Sequence, residues 1–509
     1  MMAASFLHSG IRLSELLRGW IDLPAAVDCE IAGLALDSRQ VAAGYLFLAC
    51  AGTAQHGMAY LRQAVEQGAS AVLYEPDGDW ALEQADQLQQ QAGIPVMPLS
   101  GLRYMASAIA GRFYGEPGET LSLIGFTGTN GKTSCTQFLA QALEPDTRCG
   151  VVGTLGSGFL NALKETAHTT PDPVQVQAQL AEMRDAGAQV VAMEVSSHAL
   201  DQGRVEALAF DVAVLTNLSR DHLDYHQTME EYAAAKQRLF THSNPGCAVL
   251  NLDDAFGQRL QKMLEGKLPL ISYSLNDLSN SGLDKWLGLT GLQTDSAGML
   301  LQISSSWGTG ELRTPLLGRF NASNLLAVLA VLLQRGLTFT DALQRLARVK
   351  TVPGRMERFG KPGQPLVVVD YAHTPDALEQ ALKALRAHTA GRLICLFGCG
   401  GDRDKGKRRE MGRIAEACAD LVFVTDDNPR SEPSEVIIAD ILTGVQQPGA
   451  VQVISQRDEA ISAAIQVATT DDVVLVAGKG HEDYQLIGDL KMPFSDREKV
   501  AQVLVEVQS

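Results

Sequence analysis

Residues 125–134 read Gly-Phe-Thr-Gly-Thr-Asn-Gly-Lys-Thr-Ser. An apolar run, residues 121–124, precedes them, and a helical pattern, residues 136–143, follows. A strand, a glycine loop and a helix N-terminus in that order form a phosphate cradle, because backbone N–H groups and the helix dipole face the anion. Lys132 is placed to reach the terminal phosphates and the Thr133 hydroxyl to sit on Mg²⁺. The spacing departs from the usual P-loop at one point. The first glycine is expected at position 126, which here is Phe126, flanked by Gly125 and Gly128. The loop is therefore a variant. The plainer alternative is a glycine-rich turn with a surface lysine, but strand, loop and helix all agree with nucleotide binding.

Working outward, two runs downstream of the loop, residues 190–193 and 212–215, read as buried strands that end in polar residues, where sites lie in a parallel sheet. The first ends in Glu194-Val-Ser-Ser-His198. A carboxylate at a strand end behind a phosphate loop suits Mg²⁺; alternatively, Glu194 caps the next turn. The second continues as Thr216-Asn-Leu-Ser-Arg-Asp-His-Leu-Asp-Tyr-His226, dense in groups that bind metals or simply hydrogen-bond. Lys236 lies in a helical stretch, Tyr232-Ala-Ala-Ala-Lys-Gln, and sequence physics alone predicts a solvated helix lysine. Residues 276–311 are more polar, with a strand expected over 299–304; residues 322–333 form a strongly apolar helix candidate.

Two Gly/Pro-rich joints, residues 114–119 and 352–365, divide the chain into three parts. The length of 509 residues carries the same prior of roughly three domains. The expected division is 1–116, 117–351 and 352–509. The first part alternates short apolar runs with helical stretches and reads as a small α/β domain. The third is the clearest. Runs at 366–369, 393–397, 421–424, 451–454 and 473–476 alternate with helical patterns at 376–386, 408–418, 435–445 and 458–468. That rhythm predicts a doubly wound, Rossmann-like parallel sheet. Four of its strands end in polar loops: residues 370–374, 398–404, 425–430 and 478–482. In the third of these loops Arg430 follows Asp427-Asn428-Pro429. An arginine fork grips a carboxylate with two parallel N–H bonds, and Asp427 and Asn428 offer acceptors to an ammonium. A zwitterionic amino-acid end and a plain polar turn before a helix fit this loop equally well.

Composition narrows the class. Hydrophobic content of 46% and charged content of 20% are ordinary for a globular chain. The net charge of −17 argues against a nonspecific nucleic-acid binder. The eight cysteines form no C-x-x-C pair, so neither zinc nor a disulfide framework is indicated and a reduced cytoplasm fits. The amphipathic first twenty residues lack a signal-peptide core, and no apolar stretch is long enough to span a bilayer.

Taken in order, these motifs resemble the Mur ligases, ATP-dependent amide-bond-forming enzymes of peptidoglycan synthesis. The carriers are Asp37-Ser-Arg39, residues 127–133, Glu194-Val-Ser-Ser-His198, residues 217–226, Asn321-Ala-Ser-Asn324, Gly354-Arg-Met-Glu357, Asp370-Tyr-Ala-His373, residues 427–430 and Gly478-Lys-Gly-His-Glu482. The resemblance covers essentially the whole chain. It implies three domains, for the UDP end, for ATP and for the incoming amino acid. It implies uridine-side contacts at Leu36, Ser38, Thr53, Ala54 and Gln55. His168, Thr169, Thr170, Ser196, Gln202 and Arg204 would hold the muramoyl-dipeptide. ATP would lie on Gly128, Thr129, Asn130, Gly131, Lys132, Thr133 and Ser134, with Asn321, Arg355, Asp370 and His373 from the parts that close on it. Thr133, Glu194 and His222 match Mg²⁺ ligands, and Lys236 matches a lysine that the family carbamylates into a further anionic ligand. Arg403, Asp427, Asn428, Pro429, Arg430, Gly478 and Glu482 match a diaminopimelate pocket. The implied activity is addition of meso-2,6-diaminopimelate to a UDP-muramoyl-dipeptide, by a cytoplasmic monomer with no nucleic-acid or membrane partner. The Asp-Asn-Pro-Arg loop speaks against lysine addition. The N-terminal domain speaks against a folylpolyglutamate-synthase-like enzyme, and the lack of a basic face against a nucleic-acid motor.

Overall fold

The computed structural model describes residues 10–52, 55–144, 146–295 and 297–506. The chain separates into two compact units, residues 1–271 and 272–509. The first unit is built on two sheets whose central strands are parallel. The N-terminal one orders Gly33–Ala35, Tyr45–Ala49, Ala71–Tyr74 and Val96–Pro98 side by side, all parallel. Tyr45–Ala49 and Ala71–Tyr74 are almost wholly buried, because cores lie on both faces. Strands covered on both sides read as unbroken apolar runs, as these do.

The second sheet of this unit is built around Ser122–Thr127. Its neighbours are Val190–Glu194 on one side and Val212–Leu215 on the other, with Cys149–Gly153 and Cys247–Asn251 beyond, all parallel. The chain thus winds to one side of Ser122–Thr127 and then returns to the other. That reversal makes the carboxyl end of Ser122–Thr127 the switch point, where ligands bind in such sheets. Helix Lys132–Leu143 leaves the loop directly, one turn longer at its N-terminus than the apolar periodicity implies. The loop residues supply that turn.

The second unit opens with an antiparallel meander, Trp286–Asp295, Gly298–Ser305 and Gly308–Thr314. Only its middle strand was expected. The flanking strands are polar on one face and carry little apolar signal. Helix Arg319–Gln334 follows, buried along nearly its whole length. The six-stranded sheet has the order Glu357–Phe359, Leu366–Asp370, Val473–Ala477, Leu393–Phe397, Leu421–Val424, Gln452–Val453, parallel apart from its first pair. Cores cover both faces. Each fully buried aliphatic side chain there contributes about 1.5–3 kcal/mol. The expected βα rhythm is present, with helices Pro375–Arg386, Gly406–Cys418, Ser434–Leu442 and Arg457–Gln466 between strands. Thr374 caps the first of them by accepting from Ala377 N, and Pro375 sits at its first turn, where no amide donor is required. The four polar loops leave adjacent strand ends, in the order 370, 477, 397, 424. A hairpin absent from the sequence expectation, Tyr484–Ile487 paired with Leu490–Pro493, stands beside them.

Among the described residues, no helix is long and apolar enough to cross a membrane.

Candidate active site

The glycine loop is shaped by contact, not only by composition. Gly128 has φ +150, and a Cβ there would lie 1.9 Å from Thr216 Oγ1. Only glycine fits that approach. Thr216 Oγ1 in turn donates to Asn130 O (2.6 Å), and Asn130 N donates to Asn217 Oδ1 (2.9 Å). Thr129 Oγ1 donates to Ser219 O and accepts from Ser219 N. The stretch 216–219 therefore buttresses the loop from the neighbouring strand end. Gly131 takes a left-handed conformation and starts the helix at Lys132. Lys132 Nζ donates to the carbonyls of Gly128 (2.8 Å) and Thr129 (2.9 Å). Ser134 lies in the first turn of the same helix.

Glu194 ends the strand next door and is buried, 1% exposed. Thr133 Oγ1 donates to its Oε2 (2.9 Å), as does Thr154 Oγ1 (3.2 Å), while Thr154 N donates to Oε1 (2.8 Å). Thr154 was missed in the sequence. Its position just past the strand Cys149–Gly153 is the signal that would have found it. A carboxylate and a hydroxyl at hydrogen-bond distance, behind a phosphate loop, are a hard-oxygen donor pair that suits Mg²⁺. His222 is half-exposed, with φ +53 and its ring 5.0 Å from that of His198 and 5.9 Å from that of Tyr232, whose hydroxyl is 3.2 Å from Thr129 Oγ1 of the loop. Among the described residues no three His, Cys, Asp or Glu side chains group as a metal cluster.

Lys236 departs from the solvated lysine that sequence physics predicts. It is 1% exposed. Helix Met229–Thr241, capped by Thr228, turns Tyr232, Ala233, Lys236, Leu239 and Phe240 inward. Lys236 shares the face of Tyr232 and Leu239, at helical spacings of four and three, and that pattern was the overlooked signal. Its ammonium donates to Gly128 O (2.9 Å) and lies 4.4 Å from the Tyr232 ring centroid. Burial, and next the neighbouring Lys132, hold its pKa well below the ordinary lysine value.

The expected dipeptide-binding residues form one network with Glu194. Thr170 Oγ1 donates to Glu194 O (2.8 Å) and accepts from Ser196 N (3.1 Å); Thr154 and Thr169 hydroxyls are 3.1 Å apart. Arg204 donates to Thr170 O (2.6 Å) and to Gln202 Oε1 (2.7 Å), and Gln202 donates to Tyr225 OH (3.1 Å). His168 is exposed on the same loop; its carbonyl accepts from Thr166 Oγ1. Of the uridine-side residues, Leu36 and Ser38 follow strand Gly33–Ala35 and Gln55 follows strand Tyr45–Ala49. Ser38 donates to Gln63 Oε1 (2.9 Å), Leu36 is half-buried, and Gln55 Oε1 accepts from Tyr60 OH (2.8 Å). Thr53 and Ala54 lie outside the described residues.

In the second unit, Asp370 ends its strand and accepts from Met356 N (2.7 Å) and Ala372 N (2.9 Å); burial raises its pKa and the Arg355 charge pulls against that. The Arg355 guanidinium lies 4.5 Å from the Tyr371 ring centroid. His373 Nδ1 is 2.9 Å from Tyr371 O, and burial lowers its pKa. Asn321, buried, donates to Leu317 O (2.8 Å) and accepts from Asn324. The motif 427–430 joins the motif 478–482 directly. Asn428 Nδ2 donates to Glu482 Oε2 (3.1 Å), and Gly478 lies beside the Asp427 carboxylate. Asp427 Oδ1 is buried without a hydrogen-bond partner. Arg430 has φ +51, and one guanidinium nitrogen donates to Gly401 O (2.8 Å). Arg403 is exposed on the loop that carries Gly401.

Three family models match the chain: the Mur ligase family catalytic domain at 30–114, the Mur ligase middle domain at 126–332, and the Mur ligase glutamate ligase domain at 354–480. The chain belongs to the Mur ligase family. Its relatives in that family include the UDP-N-acetylmuramoyl-L-alanyl-D-glutamate–2,6-diaminopimelate ligase of Pseudomonas aeruginosa, 54% identical over 94% of this chain and 96% of the relative. The ligase of that name from Alkalilimnicola ehrlichii is 49% identical over 97% and 99%. A solved structure of a ligase of that name aligns over 98% of this chain and 100% of its own, at 34% identity and a TM-score of 0.72. The Mur ligase architecture, three α/β domains with parallel sheets, is thus that of this chain. The folylpolyglutamate synthase of Mycobacterium tuberculosis, 20% identical with a TM-score of 0.58 over 74% of this chain, shares the fold alone.

Proposed function

We propose that this Mur ligase joins meso-2,6-diaminopimelate to UDP-N-acetylmuramoyl-L-alanyl-D-glutamate, converting ATP to ADP and phosphate. The observation that carries the choice of amino acid is the 427–430 loop. It carries a buried Asp427 carboxylate whose Oδ1 has no hydrogen-bond partner and, three residues on, the Arg430 guanidinium, one nitrogen of which donates to Gly401 O. An ammonium supplies the missing donors and a carboxylate meets the fork. Diaminopimelate carries both at its far end; lysine lacks that carboxylate. A half-buried fork left without its carboxylate loses binding energy, and that loss sets lysine apart from diaminopimelate.

The chemistry follows from the first unit. The dipeptide carboxylate attacks the γ-phosphorus of ATP; the bond to the β–γ bridging oxygen breaks and ADP leaves. Lys132 and the loop amides neutralise charge on the moving phosphoryl group. The diaminopimelate amine then attacks the acyl carbon, phosphate departs and the nitrogen loses a proton. Water must be kept from the acyl phosphate. Thr133, Glu194, His222 and carbamylated Lys236 would hold Mg²⁺, which supplies Lewis-acid charge stabilisation on the phosphates. Carbamate formation requires an unprotonated amine, and burial with Lys132 nearby lowers the Lys236 pKa in that direction. Thr169, Thr170, Ser196, Gln202 and Arg204, with His168, receive the dipeptide; Leu36, Ser38 and the 53–55 segment receive the uridine. Asn321, Arg355, Asp370 and His373 complete the nucleotide contacts. The domain limits 1–116, 117–351 and 352–509, a monomeric state and a cytoplasmic location belong to the same reading.

Phosphate release tests it. A ligase releases phosphate at full rate only with dipeptide and diaminopimelate together; equal hydrolysis with ATP alone contradicts the proposal.

A further inference from the structure

The Arg430 backbone is left-handed, at φ +51. A non-glycine residue persists there only when its surroundings over-determine it. Much of that restraint comes from the hairpin of Tyr484–Ile487 and Leu490–Pro493. Arg430 N donates to Leu486 O (3.0 Å), and Gly488 N donates to Arg430 O (2.8 Å). The same hairpin holds the two acceptor residues of the loop. Gln485 Nε2 donates to Asp427 O (2.7 Å), and Leu486 N donates to Asn428 Oδ1 (2.9 Å). An isolated two-stranded ribbon is marginal by itself. Its exposed side chains, Ile487, Leu490 and Met492, do not anchor it. The loop and the ribbon therefore order each other.

Beneath them lies Lys479, fully buried. Its ammonium donates to Asn428 Oδ1 (3.0 Å) and Glu482 Oε2 (3.1 Å) and lies 3.6 Å from Asp427 Oδ1. Two carboxylates this close repel unless a cation stands between them. With Lys479, the charges of Asp427, Glu482, Lys479 and Arg430 sum to zero, while Arg403 is exposed to solvent. A zwitterionic end enters such a pocket without adding net charge, whereas a bare ammonium brings one uncompensated.

We propose that Lys479 and the hairpin bearing Gln485 are positioning elements for amino-acid selection. They hold Asp427, Asn428 and Arg430 in the arrangement that reads a zwitterion, without touching the substrate themselves. This rests on the reading of the 427–430 loop as the diaminopimelate pocket.

The test uses the full chain with saturating ATP and UDP-muramoyl-dipeptide. Gln485→Leu removes the donor to Asp427. Gly488→Val strains an exposed turn residue at φ +58 with open space around it, so the core is untouched. Lys479→Met removes the buried charge, and Lys479→Arg retains it. The first three raise the KM for diaminopimelate roughly tenfold to a hundredfold, the scale of a small misplacement of a binding group. They leave the KM for ATP unchanged and lower the preference for diaminopimelate over lysine; Lys479→Arg recovers part of that preference. If Lys479→Met does not fold, the two hairpin variants decide. Unchanged diaminopimelate KM in them, or equal rises in all three substrate KM values, overturns the proposal. Arg430→Ala is the control. If it too leaves diaminopimelate KM and selectivity intact, the pocket reading has failed, rather than the positioning role alone.

Discussion

Lys236 shows how burial turns an unremarkable residue into a chemical one. Sequence physics placed it on a solvated helix face, because a lysine among alanines carries no apolar signal of its own. Packing of Tyr232 and Leu239 decides otherwise, and the amine is left dry with Lys132 nearby. Lys236→Ala is expected to lower kcat by about a hundredfold or more, the scale of losing an electrostatic stabiliser. Wild-type protein supplied with isotope-labelled bicarbonate should show a carbamate resonance that the variant lacks; a bare lysine in fully active protein contradicts the role. His481 makes a second residue-scale case. Burial, then Arg355 and Arg497, push its pKa down to about 4. Between its ordinary value near 6.5 and about 4, the unfolded chain binds a proton that the folded chain refuses. Stability is therefore full above the ordinary value and falls as pH drops toward about 4, by on the order of 3 kcal/mol. Denaturant titrations across that window should show a flatter acid limb for His481→Asn; identical limbs refute it.

At the scale of elements, the strand–loop–helix at 122–143 was legible because each part carries its own signature: an apolar run, glycines and helical spacing. What the sequence concealed is the second support, the 216–219 stretch that presses on the loop from the next strand. Gly128→Ala puts a methyl group against Thr216 Oγ1. It should weaken binding of a fluorescent ATP analogue by roughly tenfold or more, since the loop amides lose their aim, and unchanged affinity contradicts the cradle. The βα rhythm of the third domain was equally legible, since strands covered on both faces must be apolar throughout. Of the meander of residues 286–314 only the middle strand was legible; its flanking strands and the hairpin of 484–493 were not. Their strands alternate weakly or lie exposed, so tertiary pairing rather than composition defines them.

At the scale of the whole molecule, function sits at the carboxyl ends of parallel strands, where this architecture puts its loops. The motifs were visible as a linear order; their three-dimensional partners were not. Thr154 and Gln485 carry common side chains at unmarked positions, Lys479 stands in a marked motif without a role of its own there, and only the fold brings the three to Glu194, Asp427 and Asn428. The central claim is that one nucleotide phosphoryl group activates the dipeptide acid and a guanidinium then chooses the amine donor. The most direct measurement is product mass from UDP-muramoyl-dipeptide, ATP and Mg²⁺ with a panel of amino acids. The account predicts an adduct of diaminopimelate, one ADP formed for each, and little or none with lysine; adducts with lysine at an equal rate, or no adduct with any amino acid, would contradict it.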